Sequence, residues 1–386
     1  MPINVTLAHH WLVRMRGGEK VLEQFCLLFP DAPIHTIVAE PANLSEIILR
    51  HPIRPSVLRF IPGSANHYKM LLPLFPAAVR RMRVTEGTQF VLSTDASVVK
   101  GLACPPGIPH VCYCHSPPRY LFDMQETYAQ HTTGLGALGR LVFRFVTPYV
   151  RRFDYAAAQR VTHFIANSKF VQERIRKFYG RDSVVIHPPV DIEAFDHTRP
   201  AGDFFLIVSE LVPYKRVDIA IDAFNQLGKP LVIIGDGSEM AALRHRAGPT
   251  IRFLGRQPFA ALKDHNERCR AFLYTQIEDF GITALEAQAA GRPVIAFRRG
   301  GALESVIEGK TGMFFDEQTP ESLVDAVKRF ERQAFDPAEC RANAARFRPE
   351  EFRAQINRHL IENLPGQFGP CDFPIRLGPP VRDPEA

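Results

Sequence analysis

The sequence predicts an α/β protein built from two parallel-sheet domains. Three observations carry this. The chain has 386 residues, more than one ordinary core holds, so two domains are expected. Short apolar runs alternate with helical patterns along both halves, as parallel strands joined by crossover helices require. A proline-bounded segment, His187-Pro188-Pro189 to Arg199-Pro200, separates the halves. The boundaries expected are 1–187 for the first domain, 188–201 for the linker and 202–345 for the second domain. Residues 346–364 are expected to form a helix able to cross back to the first domain, followed by a Pro/Gly-rich tail, 365–386. Two such domains face each other across a central cleft. Ligands of open parallel sheets bind at the carboxyl ends of the strands, so the cleft is the expected site.

The elements follow in order. Residues 3–8 read as the first strand, 14–18 as a loop and 19–28 as a helix. Apolar segments at 34–38, 90–92, 110–114 and 163–166 read as further strands. Residues 136–153 read as a basic amphipathic helix. Arg140, Arg144 and Arg151 fall on one face, with Leu141, Phe145 and Tyr149 opposite. Pro148 is expected to kink it. Such a helix packs on a protein surface or lies on anionic membrane. Residues 68–83 add a second apolar and basic stretch, with Arg80, Arg81 and Arg83. In the second half, strands are expected at 204–208, 231–234, 251–254, 271–274 and 293–297, with helices at 217–227, 283–290 and 321–332. These strands are continuous apolar runs, as strands buried on both faces should be.

Composition bounds the function. Hydrophobic content of 46% and charged content of 23% are those of a soluble globular protein. No apolar run approaches the roughly 20 residues that span a bilayer. Arg14 and Arg16 interrupt the region where a signal peptide needs its apolar stretch. Seven cysteines are scattered, and Cys112 and Cys114 lack metal or redox spacing, so a cytoplasmic location is expected. The net charge of +6 suits anionic partners. No nucleic-acid signature is present.

Several motifs lie at predicted strand ends. Glu278 belongs to the loop after strand 271–274, and Glu286 to the following helix. Carboxylates there can accept hydrogen bonds from vicinal hydroxyls of a sugar or ribose. Lys215 and Arg216 follow strand 204–208 at a helix start, where a cation and free N–H groups hold an anion. Gly300-Gly301 after one strand, and Gly17-Gly18 after the first, let backbone approach a phosphate. His115 ends strand 110–114, and Ser168 follows strand 163–166. His9-His10 also lies at a strand end. No ligand spacing supports a metal site from His9, Cys114 and His115.

Together these motifs resemble the family 4 retaining glycosyltransferases. The resemblance covers about residues 3–362 and is strongest over 203–330. It rests on Ser-x-Leu-Val-Pro-Tyr-Lys-Arg-Val-Asp, Ile-Gly-Asp-Gly-Ser-Glu, Phe-Leu-Gly, Glu278-x7-Glu286, Gly300-Gly301-Ala302-Leu303-Glu304 and Gly309-Lys310-Thr311-Gly312, in the family's order. The resemblance implies a GT-B architecture of two Rossmann-like domains, with acceptor on the N-terminal one and nucleotide sugar on the C-terminal one. It implies catalytic roles for His115 near the sugar 6-hydroxyl, Lys215 at the diphosphate and Glu278 at the sugar hydroxyls. Gly17, Gly18, Ser168, Arg216, Phe280, Gly281 and Glu286 would bind donor, Glu286 through the ribose. It implies no cofactor and no metal. The leaving diphosphate itself takes the acceptor's proton in a same-face transfer with retention. Base contacts are expected from backbone near Leu254 to Arg256. One departure is Glu210, where many members carry arginine; it is expected to point away from the phosphates, or to weaken the enzyme. Arg216 or Arg16 could replace the missing cation.

Cys114-His115-Ser116-Pro117-Pro118-Arg119-Tyr120-Leu121 and Val-Pro-Tyr-Lys-Arg look like bacterial mannosyltransferases of exopolysaccharide and O-antigen (lipopolysaccharide) assembly. The expected donor is therefore GDP-mannose and the acceptor a polyprenyl-diphosphate-linked saccharide. The expected place is the cytoplasm, peripheral on the inner face of the cytoplasmic membrane. A UDP-sugar donor, a nucleotide-sugar epimerase and an inactive sugar-nucleotide-binding partner are the alternatives.

Overall fold

The computed structural model describes residues 3–126, 136–364 and 366. The expected tail, 365–386, lies almost wholly outside them. The described chain forms two compact units. The first contains the residues up to Asn167, then Val171–Ile186 and the chain from Phe352 on. The second contains Ser168–Phe170 and His187–Glu351.

The first unit is a parallel sheet of seven strands. They are β1 (Val5–His9), β2 (Ile34–Thr36), β3 (Ile53–Pro55), β4 (Phe90–Asp95), β5 (His110–Cys114), β6 (His163–Ala166) and β7 (Ser183–Val185). Their order is β3-β2-β1-β4-β5-β6-β7, so the winding direction reverses between β1 and β4. β1, β4 and β5 are buried at every position, which explains their apolar sequences. Sequence reading missed β3 and β7. Both are three-residue edge strands, partly exposed, and β3 ends on a proline. It also ended β4 at Leu92. The strand runs on through Ser93, Thr94 and Asp95, all buried.

A buried ionic network explains that polar extension. The Lys100 ammonium donates to Asp95 Oδ2 (3.1 Å), to the Ser97 carbonyl (2.8 Å) and, in close contact, to Asp154. Asp154 also accepts from the Tyr179 hydroxyl (2.7 Å). Asp95 accepts from the backbone N–H of Ser97 and of Lys100. The two carboxylates hold Lys100 protonated against burial.

Asp154 lies on the helix Gly136–Ala158, which continues through Pro148. Thr147, Val150, Phe153 and Asp154 are its buried side. Leu141, Phe145 and Tyr149 are 52%, 74% and 46% exposed, so the apolar face read from sequence is not the packed one. Arg140, Arg144 and Arg151 are exposed as well. No helix among the described residues is long and apolar enough to cross a membrane.

The second unit is a six-stranded parallel sheet: β8 (Phe205–Val208), β9 (Leu231–Ile234), β10 (Ile251–Gly255), β11 (Ala271–Tyr274), β12 (Val294–Phe297) and β13 (Gly312–Phe315). Its order is β10-β9-β8-β11-β12-β13, with the reversal between β8 and β11. The helices Val217–Leu227 and Pro320–Phe330 cover one face, with Ile221, Phe224, Leu323 and Val327 in the core.

The segment expected as a linker, 188–201, is a packed part of this unit. Val190, Ile192 and Phe195 lie in a core cluster with Phe280, Leu285 and Phe347. The Val190 N–H donates to the Phe347 carbonyl at 2.8 Å. The chain leaves the second unit along the helix Pro349–Asn363, whose Phe352, Ile356 and Leu360 are buried in the first unit's core.

Candidate functional site

Each unit gathers polar side chains where its sheet reverses direction. This is the position at which strand ends diverge and leave room for a ligand.

In the second unit, Lys215 ends a short 3-10 turn after β8, and Glu278 lies in the loop after β11. The Lys215 ammonium and the Glu278 carboxylate are in direct contact, both partly exposed. Thr275 Oγ1 donates to the Lys215 carbonyl at 2.9 Å, tying the two loops together. The Gly301 N–H donates to the Glu278 carbonyl at 3.0 Å. A Cβ on Gly301 would come within 2.3 Å of Phe280 Cα, so this glycine lets the β12 turn press against the Glu278 loop. The role read from sequence for Gly300-Gly301 was approach to a phosphate; what the geometry exhibits is approach to protein backbone.

The helix Ile282–Ala289 starts directly after this loop. Its N-cap is Gly281 at φ 95°, and a Cβ there would lie 2.2 Å from the Tyr274 hydroxyl. Gly281 has no side chain to cap the helix, and the Ala284 N–H already donates to the Gly281 carbonyl at 3.1 Å, so the N–H groups of Ile282 and Thr283 and the positive dipole end are what the helix can offer an anion. Glu286 is the fifth residue of this helix and is partly exposed. Phe280 is buried and stacks on His187 with ring centroids 5.2 Å apart. What Phe280 and Gly281 can offer a ligand is therefore backbone.

Other predicted residues are already engaged. Arg216, the one non-glycine residue at positive φ among those described, donates to both oxygens of Asp218 at 3.1 and 3.2 Å. The buried Ser168 hydroxyl donates to the Asp279 carbonyl at 2.5 Å and so braces the Glu278 loop. Glu304 accepts from the N–H groups of Lys169 and Phe170 and pairs with His187 at 2.9 Å. Glu210 is exposed, on a segment fixed by the Ser209 N–H to Ile234 and Leu211 N–H to Asp236 bonds.

In the first unit, Gly17 and Gly18 open the helix Gly17–Leu28. Three imidazoles converge on Gly18. A Cβ there would lie 3.5 Å from His115 Nε2 and His9 Cε1 and 3.7 Å from His10 Cε1. Thr94 joins them. Its Oγ1 is 2.6 Å from His115 Nε2 and 3.1 Å from His9 Nδ1, and its carbonyl is 3.3 Å from His10 Nδ1. Glu19 Oε1 lies 3.5 Å from His9 Nε2, while Oε2 accepts from the Arg16 N–H. The His115 N–H donates to the carbonyl of Asp95, the β4 residue whose carboxylate Lys100 holds. Sequence reading found His115, Gly17 and Gly18 but not Glu19, Thr94 or Asp95. The polar run Ser93-Thr94-Asp95 directly after an apolar strand was the available signal. Among the described residues no group of three metal-ligating side chains is arranged to hold an ion.

Burial pushes His9, His10 and His115 down to about 3, and His35 and His110 down to about 4. Below the ordinary value of 6.5 the unfolded chain binds protons that these rings refuse. Stability is therefore present above about 6.5 and lost as pH falls toward the folded values. Two buried carboxyls act in the opposite sense, Glu19, raised by burial, and Asp154, pushed up to about 6. With five rings against two carboxyls, the urea midpoint is expected to fall steadily from pH 7 to pH 5; a flat profile would mean that the rings are hydrated.

Two family models match the chain: Glycosyltransferase Family 4 over residues 15–194 and Glycosyl transferases group 1 over residues 191–347. An uncharacterized glycosyltransferase of Methanocaldococcus jannaschii is 29% identical over 180 residues, 45% of this chain and 51% of that protein. A GDP-mannose-dependent alpha-(1-6)-phosphatidylinositol monomannoside mannosyltransferase of Mycolicibacterium smegmatis is 29% identical over 192 residues, 42% of this chain and 50% of that protein. The chain spans about half the length of these curated relatives. Among solved structures, Anabaena Alr3699/HepE in complex with UDP superposes with a TM-score of 0.70 at 18% identity, over 93% of this chain and 100% of that one. Sucrose-phosphate synthase of Thermosynechococcus elongatus gives 0.67 at 15% identity, over 94% and 100%. These neighbours fix the fold as GT-B.

Proposed function

Since the chain belongs to the family 4 glycosyltransferases, we propose that it transfers a hexose, mannose from GDP-mannose, onto a lipid-diphosphate-linked saccharide. The observation that carries the reading is the contact between Lys215 and Glu278 beside the uncapped N-terminus of the helix Ile282–Ala289. A diphosphate leaving group gains charge as the glycosidic bond breaks. Lys215 and the helix N–H groups supply preorganised positive potential for that charge. Glu278 accepts hydrogen bonds from the sugar hydroxyls, and Glu286 from the ribose. The Lys215–Glu278 contact holds both side chains in place before donor binds, which lowers the ordering cost of binding. The acceptor's proton leaves with the diphosphate oxygen, and His115 orients the sugar. Gly17 and Gly18 bring the backbone of the helix start to the phosphates. Mannose as the sugar is supported by the GDP-mannose dependence of the mycobacterial relative; the UDP held by the Anabaena structure supports the rival donor class.

Labelled GDP-mannose and UDP-glucose, each with a polyprenyl-diphosphate disaccharide, decide between these donors. Transfer only from UDP-glucose would replace the donor. Nucleotide binding without transfer from either would sink the enzyme reading.

A lipid-linked acceptor also implies contact with membrane. Phe145, Leu141 and Tyr149 are exposed on the helix Gly136–Ala158, and so are Arg140, Arg144 and Arg151. Exposed apolar and basic side chains on one helix suit an anionic lipid surface. Each basic residue near such a surface contributes about 1 kcal/mol. Changing the three arginines to glutamate is expected to weaken binding to phosphatidylglycerol vesicles by at least ~100-fold. Co-sedimentation measures it, and unchanged binding would reject this helix as the contact.

A further inference from the structure

A cavity of about 610 Å³ opens at the amino ends of β11 and β12 in the second unit. Lys215 and Glu278 follow the carboxyl ends of β8 and β11, so the cavity lies at the other end of the same sheet. Gly291, Arg292, Pro293 and Phe330 are its buried lining.

Arg292 is the unusual member. It is 4% exposed, yet no carboxylate among the described residues pairs with it. Nε and Nη2 donate to the Glu267 carbonyl at 3.0 and 2.7 Å, and Nη2 also contacts the Arg199 carbonyl. The Glu267 carboxylate is turned instead to Arg199 (2.9 Å) and to the Asp196 N–H (2.8 Å). Arg292 Nη1 makes no hydrogen bond to a described residue and is not sealed from the surface. A buried guanidinium without a counter-charge is costly. An anion in the cavity would supply one.

A second guanidinium stands beside it. β11 and β12 pair with Phe272 opposite Val294. Two residues earlier, the same register sets Arg270 next to Arg292, with their backbones about 4.8 Å apart. Both line the cavity. Arg270 Nη1 is 3.3 Å from Glu331 Oε1, and Lys229 holds that same oxygen at 2.8 Å. One carboxylate thus serves two cations. Arg199, the third arginine of the lining, is matched by Asp264 and Glu267.

The rest of the lining differs in chemistry. Phe330 and the partly exposed Phe335 stack with ring centroids 5.0 Å apart and form an apolar wall. Asp336 and Gln333 are exposed. Asp336 Oδ1 accepts the Ala338 N–H, and Gln333 Nε2 donates to the Gly309 carbonyl. Asp336 Oδ2 and Gln333 Oε1 are left to accept from hydroxyls.

We propose that this cavity binds a small phosphate monoester of a sugar or polyol, with the phosphate between Arg292 and Arg270, the carbon skeleton on Phe335 and the hydroxyls at Asp336 and Gln333. A phosphate has oxygens enough to accept from both guanidiniums at once. The volume is that of a small-molecule pocket, more than an inorganic ion needs. Asp336 and Glu331 repel a second anionic group, which favours a monoester over a nucleoside diphosphate.

Isothermal titration calorimetry of the full chain tests this. The probes are glucose 6-phosphate and glycerol 3-phosphate, with inorganic phosphate, malonate and glucose for comparison. At least one ester is expected to bind wild type about 10-fold more tightly than any comparison probe. Arg270→Ser, at a side chain already 41% exposed, and Arg292→Met should each weaken that ester by about 10-fold or more. Lys215→Ala should leave it unchanged. Wild type that binds neither ester overturns the inference, and so does equal affinity for inorganic phosphate or malonate. Binding lost in Lys215→Ala but kept in Arg270→Ser would place the phosphate at the other end of the sheet and overturn it too. If Arg292→Met does not fold, Arg270→Ser decides. The readout is binding, so the result stands whether or not the protein transfers sugar.

Discussion

Lys215→Ala is expected to lower kcat by roughly 10²–10³-fold, the usual consequence of removing one preorganised charge from a developing anion. Two effects combine in it. The diphosphate loses its cation, and Glu278 loses the partner that holds it in place. Glu278→Gln keeps the shape but removes the charge, and should reduce kcat less than Lys215→Ala. Because the two side chains touch, their effects should not add. The double variant is expected to be about as slow as Lys215→Ala alone. Lys215→Arg should recover little, since a planar fork does not replace a compact ammonium at one oxygen. Steady-state kinetics at saturating acceptor give these values. Turnover within threefold of wild type for both single variants would remove these residues from the reaction.

Much of this site could be read from sequence because it is local. Lys215 follows an apolar strand by seven residues and Glu278 another by four, and both strands are buried on both faces. Chain order alone therefore places them at strand ends. What sequence could not supply is which strand ends are neighbours. The order β9-β8-β11 is a long-range fact, and it brings Lys215 against Glu278. Side-chain direction was also hidden. Phe280 lies in the middle of the motif yet faces the core, because the supposed linker contributes Val190, Ile192 and Phe195 to the cluster that receives it. Prolines at both ends made that segment look like an exposed connection. Their restriction of φ is equally compatible with a packed extended segment.

The first unit was less legible for a different reason. Its site is polar and buried, so composition alone suggested that β4 had ended. Ser93, Thr94 and Asp95 look like a loop until Lys100 is known to neutralise Asp95. The helix Gly136–Ala158 misled in the opposite direction. Its apolar side invited burial, but Asp154 must reach Lys100, and that requirement turns Leu141, Phe145 and Tyr149 outward. One buried ion pair thus decides how the arginine-flanked face is presented.

The same pair carries the largest expected effect on stability. Lys100→Met should destabilise the protein by about 3–5 kcal/mol, because removing one partner strands a buried charge. The loss falls unequally on the two carboxylates. Asp95 keeps the N–H groups of Ser97 and residue 100, which any side chain there leaves intact. Among the described residues Asp154 keeps only the Tyr179 hydroxyl. It is already pushed up to about 6 by burial with Lys100 beside it, and without the ammonium it should rise further. The penalty should therefore be greatest near pH 8 and shrink toward pH 6, as the stranded carboxyl takes up a proton. Lys100→Met combined with Asp154→Asn should recover part of the loss at pH 8 and little at pH 6, where the single variant has already neutralised itself. Urea unfolding at the two pH values measures both. A Lys100→Met penalty independent of pH would mean that lost packing, rather than a stranded carboxylate, sets the cost.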